Sequence, residues 1–384
     1  MKNEKKGNNY SEAPILQIKL PRRLTIILTV IALGIMIYYF HQIGISDIID
    51  NITTVNLGLL SLSIFLYFLA KFWDSLGWRE ILKIMGINPR LISLYRVHIT
   101  SLAGAIALPS AGTVETGLKM YLGHKEFHNH QQNRNATFTE ILSSVVVIRT
   151  IALFLVIPLS LITAIGAIEY LNLSAEWGRH LVIISSLISI LLIVLAVGIS
   201  IKPTIIIQAV KSLTNGLARI NRLESVSIQL QNVLLEGIEE YKKYFRFIIT
   251  YKGKTFLAFL AISMNNLFVW MSTYFLVLAV EKDSHVPFLL VVIVVILAGF
   301  LDVIPLGIPN AEGLKEITIT ALLERGGISP TTAAASAVLL SLTRFYLLAA
   351  LGIVFLFSMG FLKNSKNSLK DEEISTKTTK NNGL

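Results

Sequence analysis

The sequence predicts an all-α polytopic membrane protein with about six transmembrane helices and two re-entrant hairpins. These form an inverted repeat, and both termini lie in the cytoplasm. Three observations support this: an apolar composition, long apolar runs, and a pattern that recurs 195 residues later. Of the 384 residues, 53% are hydrophobic and only 15% are charged, and the mean hydropathy is +0.65. Such a balance is typical of chains embedded in lipid.

Six apolar runs are long enough to span a bilayer, since about 20 residues of helix cross about 30 Å of hydrocarbon. The first run follows two arginines and is not followed by a small-residue cleavage site, so we interpret it as a span and not as a removed signal peptide. The six runs are residues 24–43, 56–78, 138–166, 181–201, 255–280 and 331–361.

The basic residues indicate the orientation of these spans. Most of the 34 Lys and Arg residues fall in five segments: the N-terminal tail 1–23, 79–96, 119–134, 202–254, and the C-terminal tail 362–384, which we expect to be disordered. Cytoplasmic loops carry such an excess, so both tails are predicted to be cytoplasmic. The net charge of +10 therefore reflects topology and does not indicate nucleic-acid binding.

Two further apolar stretches are interrupted in a way that predicts re-entrant hairpins. Residues 91–122 are broken at Pro109-Ser110-Ala111-Gly112 and have basic segments on both sides, so they enter and leave on the cytoplasmic face. Residues 286–323 are broken at Pro305-Leu306-Gly307-Ile308-Pro309, and the order of spans makes them enter from outside. Broken backbone is tolerated at membrane depth only inside protein or beside a cavity.

The two hairpins belong to an internal repeat with an offset of 195 residues. The first repeat covers 24–166 and the second 181–361, whose insertion 203–254 is either an interfacial amphipathic helix or a solvated cytoplasmic connector. Chance alignment of segments rich in Leu, Ala and Gly is the alternative. The matching features are Leu102-Ala103-Gly104 with Leu297-Ala298-Gly299, Gly112 with Gly307, Thr137 with Thr332, and Arg149 with Arg344.

The repeated arginines are the first candidates for function. An Arg near the middle of a span costs about 2.5–3.5 kcal/mol even on the gentler insertion scale, so Arg149 and Arg344 need acceptors. Glu115 is the expected acceptor in the first repeat, and Glu312 or Glu316 in the second. Such pairs either lock the fold or share the guanidinium with an anionic group, which its planar fork binds in a bidentate manner.

The hairpin breaks offer a second set of candidates. Thr113 and Asn310 are placed to cap helices whose free N-terminal amides attract anions. The prolines and glycines at the breaks serve the turn alone, or the turn together with a site. We therefore expect an anionic substrate to be bound by Arg149, Arg344, Glu115, Glu316, Glu312, Pro109, Gly112, Pro305, Gly307 and Asn310.

Other polar groups give weaker signals. Lys71 and Asp74 are three residues apart in the second span and can pair on one face. The set His124, Glu126, His128 and His130 has metal-ligand spacing if helical, but a solvated basic loop is favoured. The chain has no cysteine, no nucleotide-binding fingerprint and no soluble stretch large enough to hold a catalytic domain. No cofactor or metal is expected.

Several motifs together resemble the lysylphosphatidylglycerol synthase transmembrane, or flippase-like, family, over about residues 20–360. Where that family commonly has a Gly-Gly-x-Gly run, this chain has Ile308-Pro309-Asn310-Ala311-Glu312-Gly313, which weakens the transfer of roles to Glu312 and Glu316. The motifs are Trp78-Arg79-Glu80-Ile81-Leu82, Leu108-Pro109-Ser110-Ala111-Gly112-Thr113-Val114-Glu115, Val147-Ile148-Arg149, Ile304-Pro305 through Glu316, and Gly327-Ile328-Ser329-Pro330.

The resemblance implies lipid translocation. In multiple peptide resistance factors a similar module is fused to a soluble aminoacyltransferase, which we expect to be absent here, so the chain is not expected to be an enzyme. The leading hypothesis is a plasma-membrane flippase for an anionic phospholipid or lipid-linked intermediate. The alternatives are a scaffold for a separate lipid- or glycan-modifying enzyme and, third, an intramembrane lipid-modifying enzyme.

Overall fold

The computed structural model describes residues 22–106, 111–130, 137–171, 250–281, 285–299 and 313–359, with isolated positions elsewhere. Every element in these ranges is a helix. They are α1 Arg22–Ile43, α2 Ile45–Thr53, α3 Leu57–Ile84, α4 Leu91–Ile106, α5 Ala111–His130, α6 Phe138–Tyr170, α7 Lys252–Val280, α8 Phe288–Gly299, α9 Leu314–Arg325, α10 Pro330–Ser341, a π-helical turn Leu342–Tyr346, and α11 Leu347–Ser358.

Three helical segments among the described residues are long and apolar enough to cross a membrane. They are α3, α7, and the segment Pro330–Ser358 that α10, the π-turn and α11 form together. The spans predicted at 56–78, 255–280 and 331–361 are thus confirmed as helices of spanning length. Helices α1 and α6 coincide with the predicted runs 24–43 and 138–166, while the run 181–201 lies outside the described ranges.

Local chemistry fixes where several of these helices begin. The Asn56 side chain accepts hydrogen bonds from the first amides of α3. Thr137 and Glu140 form a reciprocal capping box at the start of α6, and Ser329 caps α10 directly before Pro330. Each cap satisfies backbone donors that have no partner within the helix.

Helices α3 and α7 form the central contact of the molecule and run antiparallel. Near one end the Asn56 amide donates to the Ala279 carbonyl at 2.9 Å. Farther along, the Ser63 hydroxyl donates to the Ser272 carbonyl at 2.6 Å. At Gly77 a Cβ would stand only 3.4 Å from the Ala258 carbonyl. Small residues therefore let the two backbones approach closely, as is usual between helices in lipid.

The contact between α3 and α7 has two-fold character. Adding 195 to the bounds of α3, 57 and 84, gives 252 and 279, and α7 covers 252–280. The same offset takes Ser63 to Ala258 and Gly77 to Ser272. The contact of Ser63 with Ser272 therefore corresponds to the contact of Gly77 with Ala258. Reciprocal contacts of this kind define a two-fold axis, so the predicted repeat is present in helix bounds and in packing.

The remaining helices follow the same symmetry. Helix α4 packs on α5 within the first repeat and α8 packs on α9 within the second. Across the repeats, α4 packs on α11, where Gly352 meets Ala103, and α8 packs on α6, where Gly166 meets Ile293. A Cβ on either glycine would overlap its neighbour. Each helical pair is thus held against the last span of the other repeat.

One boundary differs from the prediction. The basic loop expected at 119–134 is wrong for its first part, because α5 continues to His130 and buries Lys119 and Glu126. Thr113 is likewise not an N-cap, since α5 already begins at Ala111. Lys119 therefore belongs to the interior of the protein and does not report topology.

Candidate functional site

Charged side chains gather halfway along the spans. Lys71 is the fifteenth of the 28 residues of α3, and Arg344 is the fifteenth of the 29 residues of Pro330–Ser358. Position 70, one residue before Lys71, is where the two-fold relation between α3 and α7 maps the contact onto itself. Ionisable groups at such depth are expensive and mark binding or transport sites more often than stabilising ones.

The Tyr67 ring joins the two central cations. The Lys71 ammonium lies 5.1 Å from the ring centroid, and the guanidinium carbon of Arg344 lies 5.3 Å from it. The two cations are therefore no more than 10.4 Å apart. Both distances fit cation–π attraction, which is stronger away from water. Arg344 also donates to the Val269 carbonyl at 3.1 Å and to the Thr273 hydroxyl.

Glu115 bridges two further cations. Its Oε1 lies 2.6 Å from the Lys119 ammonium, and its Oε2 lies 3.1 Å from an Arg149 guanidinium nitrogen. The side chains of Glu115 and Lys119 are 12% and 9% exposed, whereas that of Arg149 is 57% exposed. Trp78 covers Lys119 at 5.9 Å. One end of the bridge is thus enclosed and the other is open.

The open end is suited to binding an anion. A guanidinium carries five N–H donors in a planar fork, and Glu115 engages one terminal nitrogen of Arg149. The exposed part of the fork can accept a phosphate or carboxylate in a bidentate manner. A lysine at this position would offer a point charge without that planar geometry.

A buried histidine completes the cluster. Nε2 of His98 on α4 lies 3.0 Å from Oδ2 of Asp74 on α3, and the His98 side chain is 3% exposed. Asp74 is 27% exposed and lies within electrostatic range of Lys71, Lys119 and Arg149. Lys71 in turn is in range of Glu115 and of both arginines. These groups therefore form a single electrostatic unit.

The charges in this unit do not balance. With His98 neutral, the described residues contribute four cations and two carboxylates, which leaves an excess of two positive charges. We call this set the cationic cluster. Its members are Lys71, Asp74, His98, Glu115, Lys119, Arg149 and Arg344. An excess of positive charge at mid-span calls for an anionic ligand, because uncompensated charge away from water is costly.

The cluster breaks the symmetry of the fold. The offset of 195 maps Arg149 onto Arg344, but it maps Lys71 onto Asn266, Asp74 onto Val269 and Lys119 onto Leu314. Arg344 accordingly donates to the backbone of Val269, at the position where the first repeat has the carboxylate of Asp74. The fold is duplicated, whereas the charges are concentrated in the first repeat.

The predicted site residues have different outcomes. The pairing of Arg149 with Glu115 is confirmed. The pairing of Arg344 with Glu316 is wrong, because the Glu316 carboxylate accepts from the Ser341 hydroxyl at 2.5 Å and from the Gly313 amide at 2.7 Å. Gly112 lies in the first turn of α5. Five predicted residues lie outside the described ranges: Pro109, Pro305, Gly307, Asn310 and Glu312.

Two members of the cluster were missed. The four-residue spacing of Glu115 and Lys119 is a helical pairing signal, but it was hidden because Lys119 was assigned to a loop. His98 had no signal of its own, since only the packing of α4 on α3 brings it to Asp74. Within the described ranges no group of three ligand-type side chains could hold a metal ion. His124 and Glu126 lie on α5, and the loop expected for them is not present.

The fold and the site define a class. This is a helical membrane protein built from two related halves that enclose a mid-span cluster of cations. A family model described as "Lysylphosphatidylglycerol synthase TM region" matches residues 25–352. The chain therefore belongs to this membrane-protein family, as its motifs suggest. No curated protein matches the chain.

Proposed function

We propose that this protein moves an anionic phospholipid or lipid-linked intermediate across the plasma membrane and that the cationic cluster holds the headgroup. The observation that carries the proposal is the excess of two positive charges at mid-span, beside an Arg149 side chain that is 57% exposed. A cluster serving only to stabilise the fold would be expected to balance its charges and to bury them.

The two helical pairs supply the moving parts in this proposal. Helices α8 and α9 have 12 residues each, or about 18 Å at 1.5 Å per residue, which is short of the about 30 Å of hydrocarbon. This length supports a hairpin that enters and leaves on the same face. Because each pair packs on the last span of the other repeat, movement of one pair opens one side of the cluster. Two inverted pairs then give alternating access.

Glu115 acts as the resident counter-ion in this mechanism. It holds Arg149 while the site is empty, and an incoming phosphate competes with it for the guanidinium. Glu115 keeps its second partner, Lys119 at 2.6 Å, so its charge is not left unpaired when Arg149 turns to the headgroup. Release of the headgroup restores the original pair. The exchange keeps buried charge compensated at each step.

Reconstitution of the full chain in vesicles tests the proposal. The assay follows loss of outer-leaflet fluorescence from labelled phosphatidylglycerol on addition of dithionite, with labelled phosphatidylcholine as the neutral comparison. We expect Arg149→Ala and Arg344→Ala to remain folded and to lose movement of the anionic lipid at least tenfold. Arg90→Ala and Arg325→Ala, at exposed arginines outside the cluster, serve as matched controls.

The outcomes separate the hypotheses. Equal movement of both lipids, or no effect of either cluster substitution, would refute the headgroup site and favour the scaffold. Competition by soluble glycerol phosphate without any lipid movement would assign the same phosphate chemistry to a free anion. Chemical change of the labelled lipid, detected by mass spectrometry after the assay, would instead point to an intramembrane enzyme.

A further inference from the structure

The pair of His98 and Asp74 has no part in holding the headgroup in the mechanism above. His98 lies on α4 with its side chain 3% exposed, and its Nε2 is 3.0 Å from Asp74 Oδ2. A neutral imidazole could satisfy a buried position with any acceptor. Here the acceptor is a carboxylate that also belongs to the cationic cluster, so a proton on His98 changes the charge that an anion experiences.

The groups facing His98 come from three helices. Helix α3 contributes Asp74, and α5 contributes Glu115 and Lys119. Helix α11, which also packs on α4, has no ionisable side chain in Leu347–Ser358. Asp74 and Glu115 favour an imidazolium, while Lys119 and the apolar surroundings oppose it. The balance is therefore sensitive to one more negative charge in the cluster.

Histidine is also the residue type suited to change its charge here. Imidazole is the only side chain whose ordinary pKa allows titration between pH 5 and 8. Glu115 is held by two cations at 2.6 Å and 3.1 Å and so remains a carboxylate. With His98 protonated, the excess of the described cluster rises from two positive charges to three.

We propose that the pair of His98 and Asp74 is a proton-binding site coupled to the anion, so that headgroup and proton occupy the protein together. The inference rests on the proposed function. Linkage makes the coupling reciprocal: if the anion favours protonation of His98, the proton favours the anion by the same factor. One linked site gives at most a tenfold change in affinity per pH unit. A proton gradient would then drive movement of the lipid in one direction.

Proton uptake on binding is the direct test. Short-chain phosphatidylglycerol is titrated calorimetrically into the full-length protein in detergent at pH 7, in several buffers that differ in ionisation enthalpy. We expect uptake of up to one proton per lipid bound by the wild type and none by His98→Gln. His41→Gln, at an exposed histidine near the end of α1, is the matched control and should resemble the wild type.

A second variant and a second readout guard against misfolding. Asp74→Asn keeps the imidazole but removes the carboxylate that stabilises its proton, so it should also abolish uptake. In vesicles, lipid movement by the wild type should rise as pH falls from 8 to 6 and should be flat for His98→Gln. Proton uptake or pH dependence that persists in His98→Gln overturns the coupling.

Failure of this inference is distinguishable from failure of the proposed function. A wild-type protein that binds or moves phosphatidylglycerol without taking up a proton overturns only the coupling. A wild-type protein that neither binds nor moves it at any pH overturns the headgroup site and the coupling together.

Discussion

Glu115→Gln is expected to weaken the fold while strengthening anion binding. The substitution removes the carboxylate from the enclosed end of the bridge, where Lys119 is 9% exposed. Breaking a buried ion pair by removing one partner costs about 3–5 kcal/mol. We expect the lower end, about 3 kcal/mol, because the Gln carbonyl can still accept from the ammonium. Arg149 adds little to the loss, since an exposed partner is solvated.

A double-mutant cycle with Lys119→Met measures this pair. Replacing both charges by groups of similar volume is expected to cost about 1 kcal/mol or less, so the interaction energy should be at least about 2 kcal/mol. The free energy of unfolding is measured in mixed micelles by denaturation with dodecyl sulfate. Effects of the two single variants that add to within about 0.5 kcal/mol would refute the buried pair.

The same variant separates a binding site from a structural lock. Glu115→Gln raises the excess of positive charge in the cluster by one and releases Arg149, so short-chain phosphatidylglycerol should bind about tenfold tighter, or about 1.4 kcal/mol. Calorimetry at pH 8 measures this. If stability falls and affinity does not rise, Glu115 does not compete with the headgroup and the exchange mechanism is refuted.

Three other predictions test the fold around the site. Gly77→Leu should cost about 2–3 kcal/mol in the same unfolding assay, because its side chain would press on the α7 backbone; Gly253→Leu, where a Cβ meets open space, is the control. Glu316→Gln should cost about 1–2 kcal/mol through the weakened cap at the start of α9. Single cysteines at Ser110 and Asn310, in a chain without native cysteine, should be labelled from opposite sides of the membrane, and labelling from one side would contradict the inversion.

The spans and the repeat were predictable because they depend on features that are local in sequence. Hydropathy over about 20 residues identifies a helix in lipid whatever its neighbours are. The offset of 195 could be read from a few matched residues, such as Arg149 and Arg344, and it reappears in the bounds of α3 and α7. Lys119 shows the limit: a basic residue was assumed to be in a loop because the apolar pattern of α5 fades there.

The site itself was only partly predictable. The pair of Arg149 and Glu115 followed from the expectation that the first hairpin would pack on the next span. The role of Tyr67 as a shared surface for Lys71 and Arg344 depends on how α3 packs beside the π-turn, and no spacing indicates it. Glu316 shows the reverse error, since a carboxylate three residues after Gly313 had a local use as a cap that competed with the distant arginine.

The reciprocal contact of α3 with α7 bears on the origin of the chain. A surface that pairs Ser63 with Ser272 and Gly77 with Ala258 is self-complementary, so a single half could have used it to pair with an identical copy inserted upside down. Fusion of two such copies would free each half to change alone. Lys71, Asp74 and Lys119, which have uncharged counterparts in the second half, are then differences that an ancestral homodimer could not have had. Halves expressed as separate chains should still assemble through this surface.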